Sequence, residues 1–407
     1  MRLAVVGAGS TYTPELVSGL DRLEVERLAL HDIDPERLEV VGGMARRMLE
    51  RQGFGGELLL TRELDAALEG ADFVIIQIRV GGQEARLRDE TVPLACGCIG
   101  QETTGAGGLA KALRTVPVAL EIADRVGEDA WILDFTNPVG IVTRALLDAG
   151  HRAVGLCNVA IGFQRSFARL LGVEPERLLV DQVGLNHLTW VRAVLLDGRD
   201  VLAELLVEHG DEVAAQVEQP RRLLEELGAV PSYYLRYFYA HDDVLAEQLD
   251  SEPRAAKVAA IERELLETYR DPSVTEKPAL LERRGGAFYS DAALGLLASL
   301  AEGDGAVHVV DLRNEGTLSG LADDDVVEVP ARVDRGGASP LPQSPLAPEL
   351  LGLVQHVAAY ERLAAEAAIA DDPTLVRKAL LAHPLIGQDR IAEELLERLY
   401  AARKVTT

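Results

Sequence analysis

Short apolar runs alternate with longer stretches of helical character over the first ~155 residues. Leu3 to Val6 is closed by glycines, and Leu28 to Leu30 ends at His31-Asp32. Phe73 to Ile78, Trp131 to Phe135 and Ala153 to Leu156 are three further runs of strand type. Pro14 to Leu23 and Pro35 to Arg51 lie between them and read as helices. Short buried strands alternating with helices predict an α/β fold with a parallel, doubly wound sheet. After Cys157 the pattern changes. Leu202 to Glu218 and Arg254 to Tyr269 are long Leu/Ala/Glu-rich helices, and Val326 to Val333 reads as a strand. Gly336 to Pro348 reads as a surface loop, the tail from Pro348 to Arg403 as helical, and Asp323-Asp324-Asp325 as a solvated turn. The expected division is 1–156 and 157–407, the second part being a mixed α+β, helix-rich domain.

Charge and cysteine content narrow the function classes. The net charge of −25 argues against nonspecific nucleic-acid binding, which needs a basic surface. Local arginines can still hold an anion inside an acidic protein. No apolar stretch approaches ~18 uninterrupted residues, so no membrane span is expected. The apolar run after Met1 is too short for a signal peptide. Cys96, Cys98 and Cys157 are the three cysteines, an odd and sparse set that argues for a reducing, cytoplasmic setting.

The first strand leads into Gly7-Ala8-Gly9-Ser10-Thr11-Tyr12, with Pro14 where a helix would begin. Glycines there let the backbone approach a pyrophosphate, and the helix start supplies free N–H groups. Asp32 lies 23 residues after Gly9, at the end of the second strand. A carboxylate in that place accepts hydrogen bonds from an adenosine ribose and repels a 2′-phosphate, which favours NAD over NADP. Tyr12 stands where a third glycine is usual. Gly7, Gly9, Ser10, Thr11 and Asp32 are therefore the candidate cofactor residues of a Rossmann-like domain.

Eight segments, taken in order, resemble glycoside hydrolase family 4, nearest to its 6-phospho-β-glucosidase members. They are Gly9 to Leu16, Ile78 to Gly82 running on to Asp89-Glu90, Gly100 to Gly105, Asp134 to Pro138, Gly155 to Asn158, Gly184 to His187, Pro231 to Tyr234 and Arg284 to Ala287. Such enzymes depart from the two-carboxylate glycosidase scheme. The resemblance implies a route in which bound NAD takes the C3 hydride of the sugar, a base removes the acidified C2 proton and the aglycone is eliminated. Water then adds and the hydride returns. It also implies a divalent metal, typically manganese, and a homodimer or homotetramer.

By this resemblance Cys157 and His187 are the metal ligands, a thiolate and an imidazole suited to a borderline divalent ion. They stand 30 residues apart and would meet only in the fold. Tyr234 is implied as the C2 base, with Tyr237 as the fallback on the same helical face. A phenol is a poor base at its usual pKa near ~10, so neighbouring cations would have to depress it. Asn158 follows the metal cysteine and cannot donate a proton as Asp would. That favours β-linked substrates and leaves the leaving-group acid unassigned. Arg254 is the implied partner of a 6-phosphate, whose oxygens suit a guanidinium fork. Arg86 and Asn137 fall in segments lining the cofactor–sugar junction, and Arg79 in the same region.

Two other readings compete. A family member of different specificity would act on an α-linked 6-phosphoglucoside, a galactoside or a uronide. A lactate/malate-type dehydrogenase would share the nucleotide end and fold, yet would need no Cys–His metal pair and would release NADH.

Overall fold

The structure, a computed structural model, describes residues 1–285 and 288–403. Six parallel strands come first: β1 (Arg2–Val6), β2 (Arg27–His31), β3 (Glu57–Thr61), β4 (Phe73–Ile76), β5 (Trp131–Asp134) and β6 (Ala153–Gly155). They pair in the order β3-β2-β1-β4-β5-β6, the doubly wound arrangement. The helices between them are α1 (Thr13–Val17), α2 (Pro35–Gln52), α3 (Leu64–Leu68), α4 (Gly82–Ala95), α5 (Gly105–Ala123) and α6 (Val139–Asp148). Local chemistry sets their limits. Asp34 caps α2 by accepting hydrogen bonds from the N–H groups of Glu36 and Arg37, Pro35 fills the first turn, and Gly53 ends the helix at φ 73°.

Seven antiparallel strands continue the same sheet: β7 (Leu178–Leu185), β8 (Leu188–Leu196), β9 (Arg199–Asp200), β10 (Val230–Pro231), β11 (Val307–Arg313), β12 (Val326–Asp334) and β13 (Gly337–Pro340). β11 joins the parallel half by pairing with β6, and β12, β7, β8 and β10 follow outward. One row of partners therefore crosses the junction: Asp134, Gly155, Asp311, Glu328 and Gly184. The helix Pro348–Ala370 packs on α5 and α6. A main apolar core spans both halves, and a second lies under α7 (Val159–Leu171), β7, β8 and the helix Leu202–Val217.

Several elements differ from the sequence expectations. The helix expected over Pro14 to Leu23 is five residues long, Thr13–Val17, followed by a 3₁₀ turn at Leu20–Arg22 with Gly19 between. β3 and the β7–β8 hairpin are additional strands. The expected loop over 336–348 contains β13. Asp323-Asp324-Asp325 is not simply a solvated turn, because Asp325 is buried and bonds to Arg144 and Arg362. Among the described residues no helix is long and apolar enough to cross a membrane.

Candidate active site

Five candidate segments leave the carboxyl ends of parallel strands, where ligands of doubly wound sheets gather. Gly7 to Thr11 follow β1, Asp32 follows β2, Arg79 follows β4, Asn137 follows β5, and Cys157 follows β6. At the first of these, Gly7 has φ 90°, and a Cβ there would fall 2.8 Å from the Gln77 carbonyl oxygen. Gly9 donates its N–H to Asp32 Oδ2 at 2.7 Å, and Asp34 donates to Oδ1 at 2.9 Å. Arg37 Nε donates to the Gly9 carbonyl and also faces Glu262. Ser10 Oγ accepts from the Tyr12 N–H, while Thr11 is fully buried, its carbonyl accepting from Tyr269. The turn is thus held by its own residues and by the helix Arg254–Arg270.

The candidate base Tyr234 meets both candidate metal ligands: its ring stacks on His187, and Cys157 acts on its ionisation. Asn186 and His187 form the turn of the β7–β8 hairpin, between the paired Leu185 and Leu188. His187 takes φ 63°, a left-handed conformation uncommon for a side-chain-bearing residue. Its Nδ1 lies 3.0 Å from Thr103 Oγ1, and its ring stacks on Tyr234 with centroids 3.7 Å apart. Burial, with Lys111 adding, lowers the His187 pKa to about 3, so the imidazole is neutral. A neutral imidazole whose Nδ1–H donates to Thr103 keeps its Nε2 lone pair for a metal. Burial pushes the Cys157 thiol well up, and Glu328 and Asp311 push it further. A bound cation reverses that direction and favours the thiolate. The donor set therefore fits a borderline divalent ion.

Tyr234 sits in the 3₁₀ turn Tyr233–Leu235 after β10. Burial raises its pKa well above the phenol value; Cys157, Tyr237 and Glu102 add to this, and Arg86 opposes them. Without further cations this phenol is an acid too weak to serve as a base. Tyr237 Oη accepts from Gln101 Nε2 at 3.1 Å and is likewise pushed up by burial.

Behind the stack lies a buried ionic cluster that the sequence reading did not single out. Glu102 receives Arg79, Lys111 Nζ at 2.6 Å and Arg86 Nε at 3.1 Å. Burial alone would raise the Glu102 carboxyl, but Arg79, Lys111 and Arg86 outweigh it and hold it well below the usual range. Lys111 is lowered to about 7, by burial first and then by Arg79. Glu102 and Thr103 belong to the Gly100–Gly105 segment, and Lys111 lies among the buried apolar residues Leu109, Ala112 and Leu113 of α5. Those were the available signals.

The remaining candidates are more dispersed. Arg86 bridges Glu102 and Glu90, and Glu90 Oε2 accepts the N–H of Ala255 at 2.8 Å. Arg254 thus adjoins this network through the backbone of the helix it begins, yet its exposed guanidinium donates to the carbonyls of Arg283 and Arg284. Gly286 and Ala287, the end of the last family segment, lie outside the described residues. Asn137 Oδ1 is buried with no hydrogen-bond partner among the described residues. Asn158 occupies the capping position of α7, but its side chain makes no capping bond.

The Family 4 glycosyl hydrolase model matches residues 2–173, and the model of that family's C-terminal domain matches residues 182–386. The chain belongs to glycosyl hydrolase family 4. It is 39% identical to the "Probable 6-phospho-beta-glucosidase" of Bacillus subtilis, covering 99% of this chain and 96% of that one. It is 34% identical to the 6-phospho-beta-glucosidase of Escherichia coli, covering 99% and 95%. A solved 6-phospho-beta-glucosidase from Thermotoga maritima, with manganese, NAD+ and glucose-6-phosphate, superposes with a TM-score of 0.94. Its identity is 35%, over 99% of this chain and 98% of that chain. Malate dehydrogenase from Plasmodium falciparum, at 14% identity and a TM-score of 0.57, shares the fold alone.

Proposed function

We propose that this family 4 chain is a cytoplasmic 6-phospho-β-glucosidase that uses NAD and a divalent metal such as Mn2+, in a homodimer or homotetramer. Residues 1–156 carry the cofactor and the sugar contacts Arg86 and Asn137, and residues 157–407 supply the metal ligands, the other sugar contacts and the subunit interface. The stacking of His187 on Tyr234 carries the reading, because it sets a metal-ligand candidate against a base candidate. The named relatives are 6-phospho-beta-glucosidases over nearly their full length.

Gly7, Gly9, Ser10 and Thr11 hold the pyrophosphate, and Asp32 holds the ribose. Cys157 and His187 hold the metal. Bound NAD would supply the acceptor for the C3 hydride and its return, and the metal would supply a Lewis acid for the sugar oxygens at C2 and C3. Tyr234, its phenol pKa brought down by the metal ion, removes the C2 proton that the C3 ketone acidifies, and the C1–O bond to the aglycone breaks. Water adds its hydroxyl at C1, its remaining proton balances the one taken up from solvent by the departing aglycone oxygen, and Tyr234 returns the proton to C2, so the sum is hydrolysis with Tyr234 regenerated. Asn158 orients the glycosidic oxygen by hydrogen bonding, since an amide is not a proton donor of useful acidity. Arg86 and Asn137 orient the sugar, and Arg254 pairs with the 6-phosphate.

Four aryl glucosides, α and β, each with and without a 6-phosphate, test the reading in reducing buffer. Aglycone release from the β-6-phosphate alone, lost on omitting NAD or metal and without NADH accumulating, is the expected result. Release from another of the four changes the substrate. NADH accumulation without aglycone release points to a dehydrogenase and overturns the proposal.

A further inference from the structure

We infer that Glu328 is a positioning residue for the metal ligand His187, acting through the side chain of Asn186. The inference rests on the reading of Cys157 and His187 as the metal pair. Glu328 stands in the middle of β12, whose neighbours Val326, Val327, Val329, Ala331 and Val333 are all buried and apolar. Glu328 is itself 2% exposed. It forms no ion pair among the described residues; its oxygens accept from amides only, Gln182 Nε2 at 2.5 Å and Asn186 Nδ2 at 2.8 Å. Asp311 Oδ2, one strand over, lies 3.4 Å from the same Asn186 nitrogen.

For stability alone this is a poor choice. A buried acid without a cation carries a desolvation cost that an apolar side chain of similar size avoids. The geometry supplies another use for it. The register places Glu328 opposite Gly184, two residues before Asn186, so its carboxyl reaches the start of the hairpin turn. In that turn His187 adopts φ 63°, a conformation that is strained for a residue with a side chain and persists only where its surroundings fix it. The amide of Asn186, pinned to β12, fixes the residue directly before it. From the other side α6 closes in. A Cβ at Gly140 would fall 3.4 Å from Asn186 Cβ and 2.9 Å from Glu361 Oε1. The backbone of the turn is therefore clamped by Glu328, while Thr103 and Tyr234 hold the ring that the turn presents. Burial pushes the Glu328 carboxyl up and the two amide bonds oppose it; protonated or not, it offers Asn186 an oxygen acceptor.

The test is Mn2+ binding by the full chain saturated with NAD, read from the resonance of free Mn2+, alongside the Tm of the metal-free protein. Glu328→Met removes both acceptors and keeps the length of the side chain. The expected result is a loss of Mn2+ affinity of tenfold or more with Tm unchanged or higher, the scale typical of residues that orient a metal ligand. Glu328→Gln retains an acceptor for Asn186 and is expected to stay within threefold of the parent. A loss below tenfold in Glu328→Met, or an equal loss in Glu328→Gln, overturns the inference. Should Glu328→Met fail to fold, Asn186→Ala cuts the same bond from its other end. A tenfold loss there supports the inference and parental affinity overturns it. His187→Ala separates the two levels. Parental Mn2+ affinity in His187→Ala removes the metal assignment itself, whereas a loss there with none in Glu328→Met removes only the role of Glu328.

Discussion

The imidazole of His187 lies flat against the phenol of Tyr234, with ring centroids 3.7 Å apart and planes 13° from parallel. A cation on Nε2 of that buried imidazole would stand close to the phenol. Proximity of positive charge favours phenolate and opposes the burial that now raises the Tyr234 pKa. Metal and base are therefore coupled by geometry, and each can be perturbed separately.

Tyr234→Phe keeps the stacked ring and removes the proton acceptor. Exchange of the C2 proton with solvent deuterium is expected to disappear, and kcat to fall by roughly 10²–10⁴-fold, the usual contribution of a general base. NAD and Mn2+ should bind as in the parent. Retained C2 exchange would transfer the role to Tyr237, although that hydroxyl is already engaged by Gln101.

Thr103→Val preserves shape and deletes the oxygen that meets His187 Nδ1 at 3.0 Å. The imidazole then loses the partner that selects its tautomer. Mn2+ affinity is expected to fall by about 10–100-fold, with little change in Tm. Calorimetric titration of Mn2+ checks this, and an unchanged Kd would mean that the stack on Tyr234 alone orients the ring.

The parallel half of the sheet was legible because its strands are buried on both faces and read as continuous apolar runs, as Phe73 to Ile76 does. β3 was not, because its run Leu58-Leu59-Leu60 lies at the sheet edge, is only half-buried and carries no β-branched residue. The β7–β8 hairpin turns on Asn186-His187, without the glycine that usually marks such a turn. Its connection to β6 runs through β11 and β12, strands more than 100 residues later in the chain. Cys157, His187 and Tyr234 were singled out as candidates through family segments. Spacing alone could not join them, since only this sheet brings them together. Glu102 lay within a quoted segment, yet its role as the meeting point of Arg79, Arg86 and Lys111 depends on the packing of α4 against α5.

Two buried acids, Asp134 at the end of β5 and Glu361 on the helix Pro348–Ala370, predict an unusual pH dependence. Burial pushes Glu361 up to about 8 and Asp134 up to about 8. Each stays protonated in the native state at pH values where the unfolded chain has already released its proton. Their stabilising contribution is complete below the ordinary carboxyl range and is lost as pH rises through the folded values. His187 and His383, lowered to about 3 by burial, act oppositely. Their contribution is complete above pH 6.5 and is lost as pH falls toward 3. From pH 6.5 to 8 the opposing contribution of these histidines fades, and Lys111, lowered to about 7, opposes with a single group, so the two acids prevail and the Tm of metal-free protein is expected to decrease with rising pH. Glu361→Gln mimics the protonated acid and should remove about 1.4 kcal/mol per pH unit from that slope. Calorimetry at pH 6.5, 7.2 and 8 in the presence of a chelator decides the matter; a parental slope in Glu361→Gln would show that this acid is ionised when folded.

Arg254 opens the helix Arg254–Arg270, and the next N–H along, that of Ala255, is bound to Glu90, which also holds Arg86. A phosphate at the Arg254 guanidinium would replace the carbonyl oxygens of Arg283 and Arg284 as its acceptors. Arg254→Ala removes a charge-assisted contact made equally to substrate and transition state. KM for an aryl β-glucoside 6-phosphate is therefore expected to rise roughly 10–100-fold with kcat nearly constant. Glucose 6-phosphate should weaken as an inhibitor by a similar factor, while inhibition by unphosphorylated glucose stays the same. A uniform loss against both sugars would instead mean that the substitution disturbs the Glu90–Arg86 branch, and Arg86 rather than Arg254 would become the leading candidate for the phosphate.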